Sequence, residues 1–564
     1  MSIGLIVMLF VLSLFGGRLI QLQGLDASAV ATAALAKRTV DVTLPARRGA
    51  ITDAQGAVLA ATVDRRDVLV DQQLMTHPSN GGPAAVAAKL APLLGQTVPA
   101  LTAKLTGTSK GTIIANEVTP DVARQIRALK ITGLVTPQAS RRVYPAGDLA
   151  ANVLGFVAAD GKSYGGVEGG FDDVLAGTAG SLSYERALDG TRIPTGNTEE
   201  VDPRDGGSVQ LTIDRDLQWK AQQLASAQAE AVDAESISIV VLAPKTGKVL
   251  ALATAPTFDP NSPGKAPDAD RGDRPLLDVF EPGSTSKVAS LAAAMQEGLV
   301  TPLTQVTVPN RLKRADRTFR DAEEHGVEKL TAAGVLAKSS NIGTIMLGEK
   351  VPPATMERYL RAFGLGSKTG VGLPESAGIL APAAAWNGSQ RYTVLFGQGL
   401  SVNALQSAQV FATIANDGVR MPPSIVAGHT SSDGTFHATP AREPVRVLSA
   451  ETARAMREMM EGVVVEGGTA VKAAVPGYRV AGKTGTAQRA VNGGYSGYTA
   501  SFIGMAPAEN PSLVIAVIVQ NPKRGHFGGD VAAPVFRDLM TYALAHERVT
   551  PSTGKPPQIP TTWH

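Results

Sequence analysis

The chain has 564 residues, 53 lysines and arginines against 50 aspartates and glutamates, a formal net charge of +3 and no cysteine. That length allows two or three domains with a large core, and the near-balance of charge gives neither a basic field for nucleic acid nor an acidic disordered run. The lack of cysteine excludes a disulfide framework, thiolate chemistry and cysteine metal sites, but not export, because a large domain is stabilised by core burial alone.

Ile3 to Phe15 is apolar apart from Ser13, and Gly16, Gly17 and Arg18 follow. Leu19, Ile20 and Leu22 extend the run past Arg18, whose stem can snorkel, toward the ~20 residues of a membrane span. A single-pass anchor over residues 1–23 is the reading adopted, with a signal peptide cleaved near Ala27-Ser28-Ala29 as its alternative. No basic stretch precedes the run, so charge bias does not set its orientation. Ala27 to Lys37 reads as a helix leaving the membrane. Val40, Val42 and Leu44 alternate with polar residues, and Ile51 and Val58-Leu59 flank the turn Asp53-Ala54-Gln55-Gly56, which predicts strands and a hairpin. Pro83 to Leu105 and Pro120 to Leu129 read as small helices, and Tyr144 to Gly180 as loop-rich. Asp202 to Gly207 is polar and turn-forming, and the main boundary is placed there. Residues 24–205 then form one β-rich domain and 206–548 a second.

In the second domain, Val209 to Ile213 reads as a strand and Asp216 to Ala231 as a helix. Ser236 to Leu242 and Val249 to Ala255 read as strands around the turn Pro244-Lys245-Thr246-Gly247. Tyr478 to Gln488, Thr499 to Met505 and Leu513 to Gln520 are three further strands, and Val531 to His546 a closing helix. Residues 549–564 are proline-rich and without core residues, and are expected to be disordered.

Three segments can carry chemistry. In Glu281-Pro282-Gly283-Ser284-Thr285-Ser286-Lys287, the sequence turns helical from Ser284, and Ser284, Lys287, Val288 and Leu291 share one face. A lysine on an apolar face has a lowered pKa, and a neutral amine one turn from a serine can take its proton. A helix N-terminus adds backbone N–H groups suited to an oxyanion. For an isolated Ser-x-x-Lys, a serine cap with a solvated lysine is the ordinary reading. Ser262-x-x-Lys265 and Ser552-x-x-Lys555 share the pattern but cannot present it on a helix. In Ser339-Ser340-Asn341, Ser339 can relay a proton and the Asn341 amide can hold a peptide carbonyl, although capping suffices to explain the tripeptide. Ser401-Val402-Asn403 has the same form. In Lys483-Thr484-Gly485-Thr486, an edge strand would add an extended peptide. Lys483 supplies charge that keeps Lys287 neutral, the threonine hydroxyls hold a carboxylate, and Gly485 permits close backbone approach. Lys-Thr-Gly recurs at Lys245 and Lys368. Gly477 to Thr484 also fits the phosphate-loop pattern, but that motif needs a helix opening at the lysine, and Asn492-Gly493-Gly494 reads as loop.

The order of Ser-x-x-Lys at Ser284, Ser-x-Asn at Ser339 and Lys-Thr-Gly at Lys483 resembles that of penicillin-binding transpeptidases and serine β-lactamases. Arg47-Arg48-Gly49-Ala50-Ile51-Thr52-Asp53, Arg141-Arg142-Val143-Tyr144-Pro145 and Gly165-Gly166-Val167-Glu168 resemble pedestal motifs of class B penicillin-binding proteins. Pro256-Thr257-Phe258-Asp259-Pro260-Asn261 and Gly397-Gln398-Gly399 resemble motifs of their catalytic domain. Arg18 to Gln23 and Gly397 to Gln406 are nearest to the division transpeptidases of actinobacteria.

The resemblance implies an α+β multidomain chain: a membrane helix, an elongated β-rich pedestal or dimerisation domain, and a transpeptidase domain with an antiparallel sheet flanked by helices. It implies Ser284 as the acylated nucleophile, Lys287 as its base, Ser339, Asn341 and Lys483 as further catalytic groups, and Thr484, Gly485 and Thr486 as substrate-binding. The oxyanion hole would be the backbone N–H groups of Ser284 and Thr486. It implies no metal or other cofactor and no nucleic acid. Its substrates are peptidoglycan stem peptides on lipid-linked glycan strands, its inhibitors β-lactams, and its partners a membrane glycan polymerase of the SEDS (FtsW-like) type and other division proteins. The catalytic domain would lie outside the plasma membrane. An elongation-type transpeptidase shares most of these motifs. A β-lactam-responsive receptor or a β-lactamase-like hydrolase is the alternative of another class. The family usually has a basic cytosolic tail, whereas this sequence opens on the apolar segment.

Overall fold

The computed structural model describes residues 2–25, 27–187, 192–491 and 494–564, so Asn492 and Gly493 of the expected loop lie outside the described residues. The chain divides into two compact units, residues 1–49, 62–141 and 176–207 in the first and 50–61, 142–175 and 208–564 in the second.

In the first unit, a helix over Ser2–Ile20 continues as a π-helical turn over Gln21–Leu25. Ile3–Gly24 is, among the described residues, the one helical stretch long and apolar enough to cross a membrane, and its apolar side chains are exposed. The helix Ala27–Arg38 runs into the strand Thr39–Leu44. That strand pairs antiparallel with Gly180–Glu185, which in turn pairs with Thr198–Val201. A separate small core forms around Val68, Val70, Leu90, Leu101 and Ile126. The helices Val98–Leu105 and Pro120–Ala128 that help close it start on threonine caps: Thr97 accepts from the Ala100 N–H and Thr119 from the Val122 N–H. Such caps satisfy N–H groups that a helix start leaves free.

The second unit takes in two stretches that the sequence assigned to the pedestal. Ile51-Thr52 pairs in parallel with Val209-Gln210, and Tyr144, Leu154 and Val167 bury in the core of the large sheet. The reason is visible in three of the sequence motifs. Arg142 Nε donates to Glu168 Oε1 at 2.7 Å, and the Tyr144 hydroxyl donates to the same oxygen at 3.1 Å. Tyr144 N–H donates to Asn261 Oδ1 while Asn261 Nδ2 donates to Tyr144 O, both at 3.0 Å. The fully buried Glu168 carboxylate holds 142–175 together from within, and the paired Tyr144–Asn261 bonds fix that stretch to the rest of the second unit.

The scaffold of that unit is α1 (Arg215–Val232), β1 (Ser236–Ala243), β2 (Lys248–Ala255), α2 (Lys287–Gln296), α3 (Ala332–Ala337), α4 (Asn341–Gly348), β3 (Ala481–Val491), β4 (Gly494–Ala506), β5 (Leu513–Gln520) and α5 (Ala533–His546). The five strands form one antiparallel sheet in the order β2-β1-β5-β4-β3. Every residue of β5 is buried, because α5 and the helix Ala404–Ala415 both pack against it and α1 covers the neighbouring β1 and β2. A strand covered on both faces reads as an unbroken apolar run. β3 is the edge strand of this sheet.

The tail is a correction. Residues 549–564 are not a disordered appendage: Thr331 N–H donates to Thr561 O at 3.1 Å, Leu330 and Thr562 form an antiparallel bridge, and Trp563 Nε1 donates to Val306 O at 3.3 Å. Backbone pairing to an existing strand held this segment where composition gave no apolar signal.

Glu168→Ala removes the buried acceptor that Arg142 Nε and the Tyr144 hydroxyl share, so it is expected to cost about 3–5 kcal/mol, measured as the drop in unfolding free energy in denaturant.

Candidate active site

Gly283–Ser286 is a 3₁₀ turn, and the α-helix begins only at Lys287. This sharpens the predicted geometry, because residues i and i+3 eclipse in a 3₁₀ turn, which sets the Ser284 and Lys287 side chains on one face. Ser284 is half-buried and Lys287 fully buried. Backbone contacts fix the turn from two sides. Gly283 N–H donates to Gly397 O at 3.0 Å, and a Cβ on Gly397 (φ +82°) would lie 2.2 Å from Gly283 O. A Cβ on Gly283 would lie 3.1 Å from Ala487 Cβ and 3.4 Å from Thr486 O. The Ser284 turn therefore packs directly on β3. Glu281 Oε1 accepts from the Gly399 N–H at 2.9 Å, which ties the same glycine loop to the residues before Ser284.

The second motif forms the corner between two helices. Ser339 N–H donates to Leu336 O at 3.2 Å and Ser340 N–H to Val335 O at 3.0 Å, the paired bonds of a Schellman helix end. Ser339 takes the left-handed position of that motif, with φ +61°, where glycine is the usual residue. Ser340 then caps α4: its Oγ accepts from the Gly343 N–H at 2.8 Å and donates to Asp321 Oδ2 at 2.6 Å. The corner aims the Ser339 hydroxyl at both lysines. Lys287 Nζ donates to Ser339 O and, at 3.2 Å, to Ser339 Oγ. Lys483 Nζ donates to Ser339 Oγ at 2.9 Å.

Both amines are fully buried. Burial pulls Lys287 down to about 7, against the pull of the Asp321 carboxylate. Burial, and then the charge on Lys287, holds Lys483 well below the ordinary lysine range. The expectation had Lys483 charged and Lys287 neutralised by it. The structure has the repulsion lowering Lys483, while Lys287 is lowered by burial and Asp321 favours its charged form.

The other predicted site residues are each held by neighbours. Thr484 Oγ1 is hydrogen-bonded to Thr469 Oγ1 at 2.8 Å and to Lys483 Nζ at 3.3 Å. Thr486 Oγ1 accepts from the Gly528 N–H at 3.3 Å, which leaves its own proton to donate. Asn341 is half-buried and gives one amide hydrogen to Arg320 O at 3.2 Å, keeping a second donor. Gly485 is closely packed: a Cβ there would lie 2.3 Å from Ser501 Oγ and 3.0 Å from Thr285 Cγ2.

The look-alike motifs fall elsewhere. Asn403 is the capping-box residue of the helix Ala404–Ala415. Thr369 bonds Glu375, and Lys245 lies in the turn between β1 and β2. The phosphate-loop reading fails because Lys483 continues a strand and opens no helix. Sequence reasoning missed Asp321, which also accepts from the Ile342 N–H at 2.9 Å, and Thr469. Neither carries a motif, and both reach the site from loops.

A family model for the penicillin binding protein transpeptidase domain matches residues 237–541, and one for the penicillin-binding protein dimerisation domain matches residues 43–211. The chain is 38% identical over 566 residues to penicillin-binding protein PbpB of Mycolicibacterium smegmatis, spanning 93% of this chain and 87% of that one. It is 34% identical over 515 residues to the peptidoglycan D,D-transpeptidase FtsI of Escherichia coli, spanning 89% and 84%. Among solved structures, a peptidoglycan synthetase of Bifidobacterium adolescentis is similar with a TM-score of 0.76 at 34% identity, over 93% of this chain and 100% of that one. Penicillin binding protein 3 of Mycobacterium tuberculosis, complexed with aztreonam, gives 0.73 at 33% identity over the same shares.

The left-handed backbone at Ser339 predicts an order of stability. Ser339→Gly and Ser339→Ala both lose the hydroxyl, but only alanine keeps the steric cost of positive φ. The glycine variant is expected to be the more stable by about 1 kcal/mol, read from paired thermal melts.

Proposed function

The chain belongs to the class B penicillin-binding proteins and is a peptidoglycan D,D-transpeptidase, and on that premise we propose that it works through an acyl-enzyme on Ser284 in septal wall synthesis. The observation that carries the site assignment is the Ser339 hydroxyl held between two buried amines, Lys287 and Lys483, with the Ser284 turn packed on the Lys483 strand.

In this reading Ser284 attacks the carbonyl between the last two D-alanines of a stem peptide, and neutral Lys287 takes its proton. The Ser284 and Thr486 backbone N–H groups stabilise the oxyanion. The Ser339 hydroxyl, in contact with both amines, passes a proton to the leaving D-alanine amine. Lys483 and the Thr486 hydroxyl hold the terminal carboxylate, Thr484 supports Lys483, and the Asn341 amide holds a peptide carbonyl. β3, as an edge strand, supplies backbone groups to an extended stem. An amine of a neighbouring stem then attacks the acyl-enzyme, and Ser284 leaves with its proton restored. β-lactams acylate the same serine, in keeping with the aztreonam complex of the M. tuberculosis relative.

The exposed apolar helix Ile3–Gly24 supports a single-pass membrane anchor, and a peptidoglycan substrate requires the catalytic unit to lie outside the plasma membrane. The likeness to PbpB and FtsI is in keeping with the septal role, and a SEDS-type glycan polymerase is the partner that role calls for.

Ser284→Ala is expected to abolish labelling by a fluorescent penicillin, whereas the native enzyme keeps its adduct for many minutes; rapid turnover of the drug would instead make it a hydrolase. Lys287 accepts a proton only when neutral, so the acylation rate should rise with pH through about 7 and level off above it. Lys287→Arg, charged at every accessible pH, should lose at least 100-fold in acylation rate. A tagged chain should form a midcell band in dividing cells; patches along the side wall would contradict the septal role.

A further inference from the structure

The C-terminal segment touches the approaches to two of the three motifs. At its start, the Tyr478 hydroxyl donates to Val549 O at 2.6 Å. Ser552 N–H donates to Gly477 O at 3.0 Å, and Arg479 N–H donates to Ser552 Oγ at 2.9 Å. Residues 477–479 lead straight into β3, which carries Lys483. At its far end, the segment grips the start of α3. The Thr331 hydroxyl donates to Pro560 O at 2.6 Å, and Thr331 is also the N-cap of α3, accepting from the Gly334 N–H at 3.1 Å. A Cβ on Gly334 would lie 1.9 Å from Thr561 O, so that glycine is there to admit the tail. Trp563 N–H donates to Lys329 O at 3.3 Å, and the Lys329 ammonium lies 4.9 Å over the Trp563 ring. The tail thereby adds a strand-like rung to the hairpin of Gln305–Val308 and Glu328–Thr331.

α3 has six residues. A helix that short has no stability of its own, and its place is set by what holds its ends. Its far end is the Schellman corner that carries Ser339. We propose that Ser552–Trp563 is a positioning strap, which sets the distance between the Ser339 corner and the Lys483 strand. Pro556, Pro557 and Pro560 suit that task, since proline-rich segments are semi-rigid spacers of roughly 3.1 Å per residue. The strap acts through Thr331 and Arg479 and touches no reacting atom. The proposal rests on the assignment of Ser284, Ser339 and Lys483 given above.

Removal of residues 551–564 is expected to lower the second-order rate of acylation by a fluorescent penicillin about tenfold. It should also move the pH inflection of that rate, while final labelling stays at one per chain. A truncated enzyme that acylates at the full rate with an unmoved pH profile overturns the strap. So does a slowing that matches the unfolded fraction in a melt and leaves the profile of the folded fraction unchanged. Should the truncated chain not fold, Ser552→Ala with Trp563→Ala in the full chain decides: a slower rate with a moved profile upholds the strap, and a native rate and profile reject it. Label retained by Ser284→Ala would instead strike at the nucleophile assignment, whatever the tail variants do.

Discussion

Two lysine amines meet one serine hydroxyl inside a cavity that holds both amines at zero exposure. An isolated ammonium is costly to bury, and a second one beside it adds repulsion to desolvation. Burial therefore lowers the proton affinity of both amines, and the acceptors they share offset part of its cost. The Ser339 hydroxyl and carbonyl, the Thr484 hydroxyl and carbonyl, and the more distant Asp321 carboxylate supply that environment. The same burial that costs the fold stability lowers the Lys287 amine to about 7, which is what the proposed reaction asks of its base.

Close backbone contact is what brings these groups together. Gly397 and Gly485 stand where a side chain would collide with a neighbouring element, and Gly283 where one would be crowded. They let the Ser284 turn lie against the loop on one side and the edge strand on the other. Ser339 departs from this pattern. It occupies a left-handed position that glycine would take without strain, and strained backbone of this kind persists where the surroundings over-determine it. The hydroxyl between the lysines is the group that glycine could not provide.

The α3–α4 corner shows how local rules combine into a site. One residue ends a helix, the next begins another, and the side chain of the first points into the cavity while that of the second is taken up by Asp321 and the helix start. Both helices are short, so the corner depends on long-range partners: Asp321 from one side and the C-terminal segment on the Thr331 cap from the other. The pedestal motifs work in the same manner. Arg142 and Tyr144 come from one segment, Glu168 and Asn261 from two others, and the four form one cluster.

Periodicity and punctuation in the sequence determined the elements: Leu513–Gln520 as a strand, Arg215–Val232 as a helix, the apolar run at the start, and the face shared by Ser284 and Lys287. They could do so because burial of a face and turn chemistry are local and leave a period in the chain. The three motifs became specific only through their order, since Lys-Thr-Gly and Ser-x-Asn recur as turns and caps whose chemistry is equally local. Tertiary structure alone decided which stretches join which unit, that Asp321 and Thr469 contact the site residues, that Gly485 packs against Ser501 and Thr285, and that the tail is bound. Each of these is a contact between distant segments through single side chains or backbone groups, and such contacts leave no period or composition bias to read.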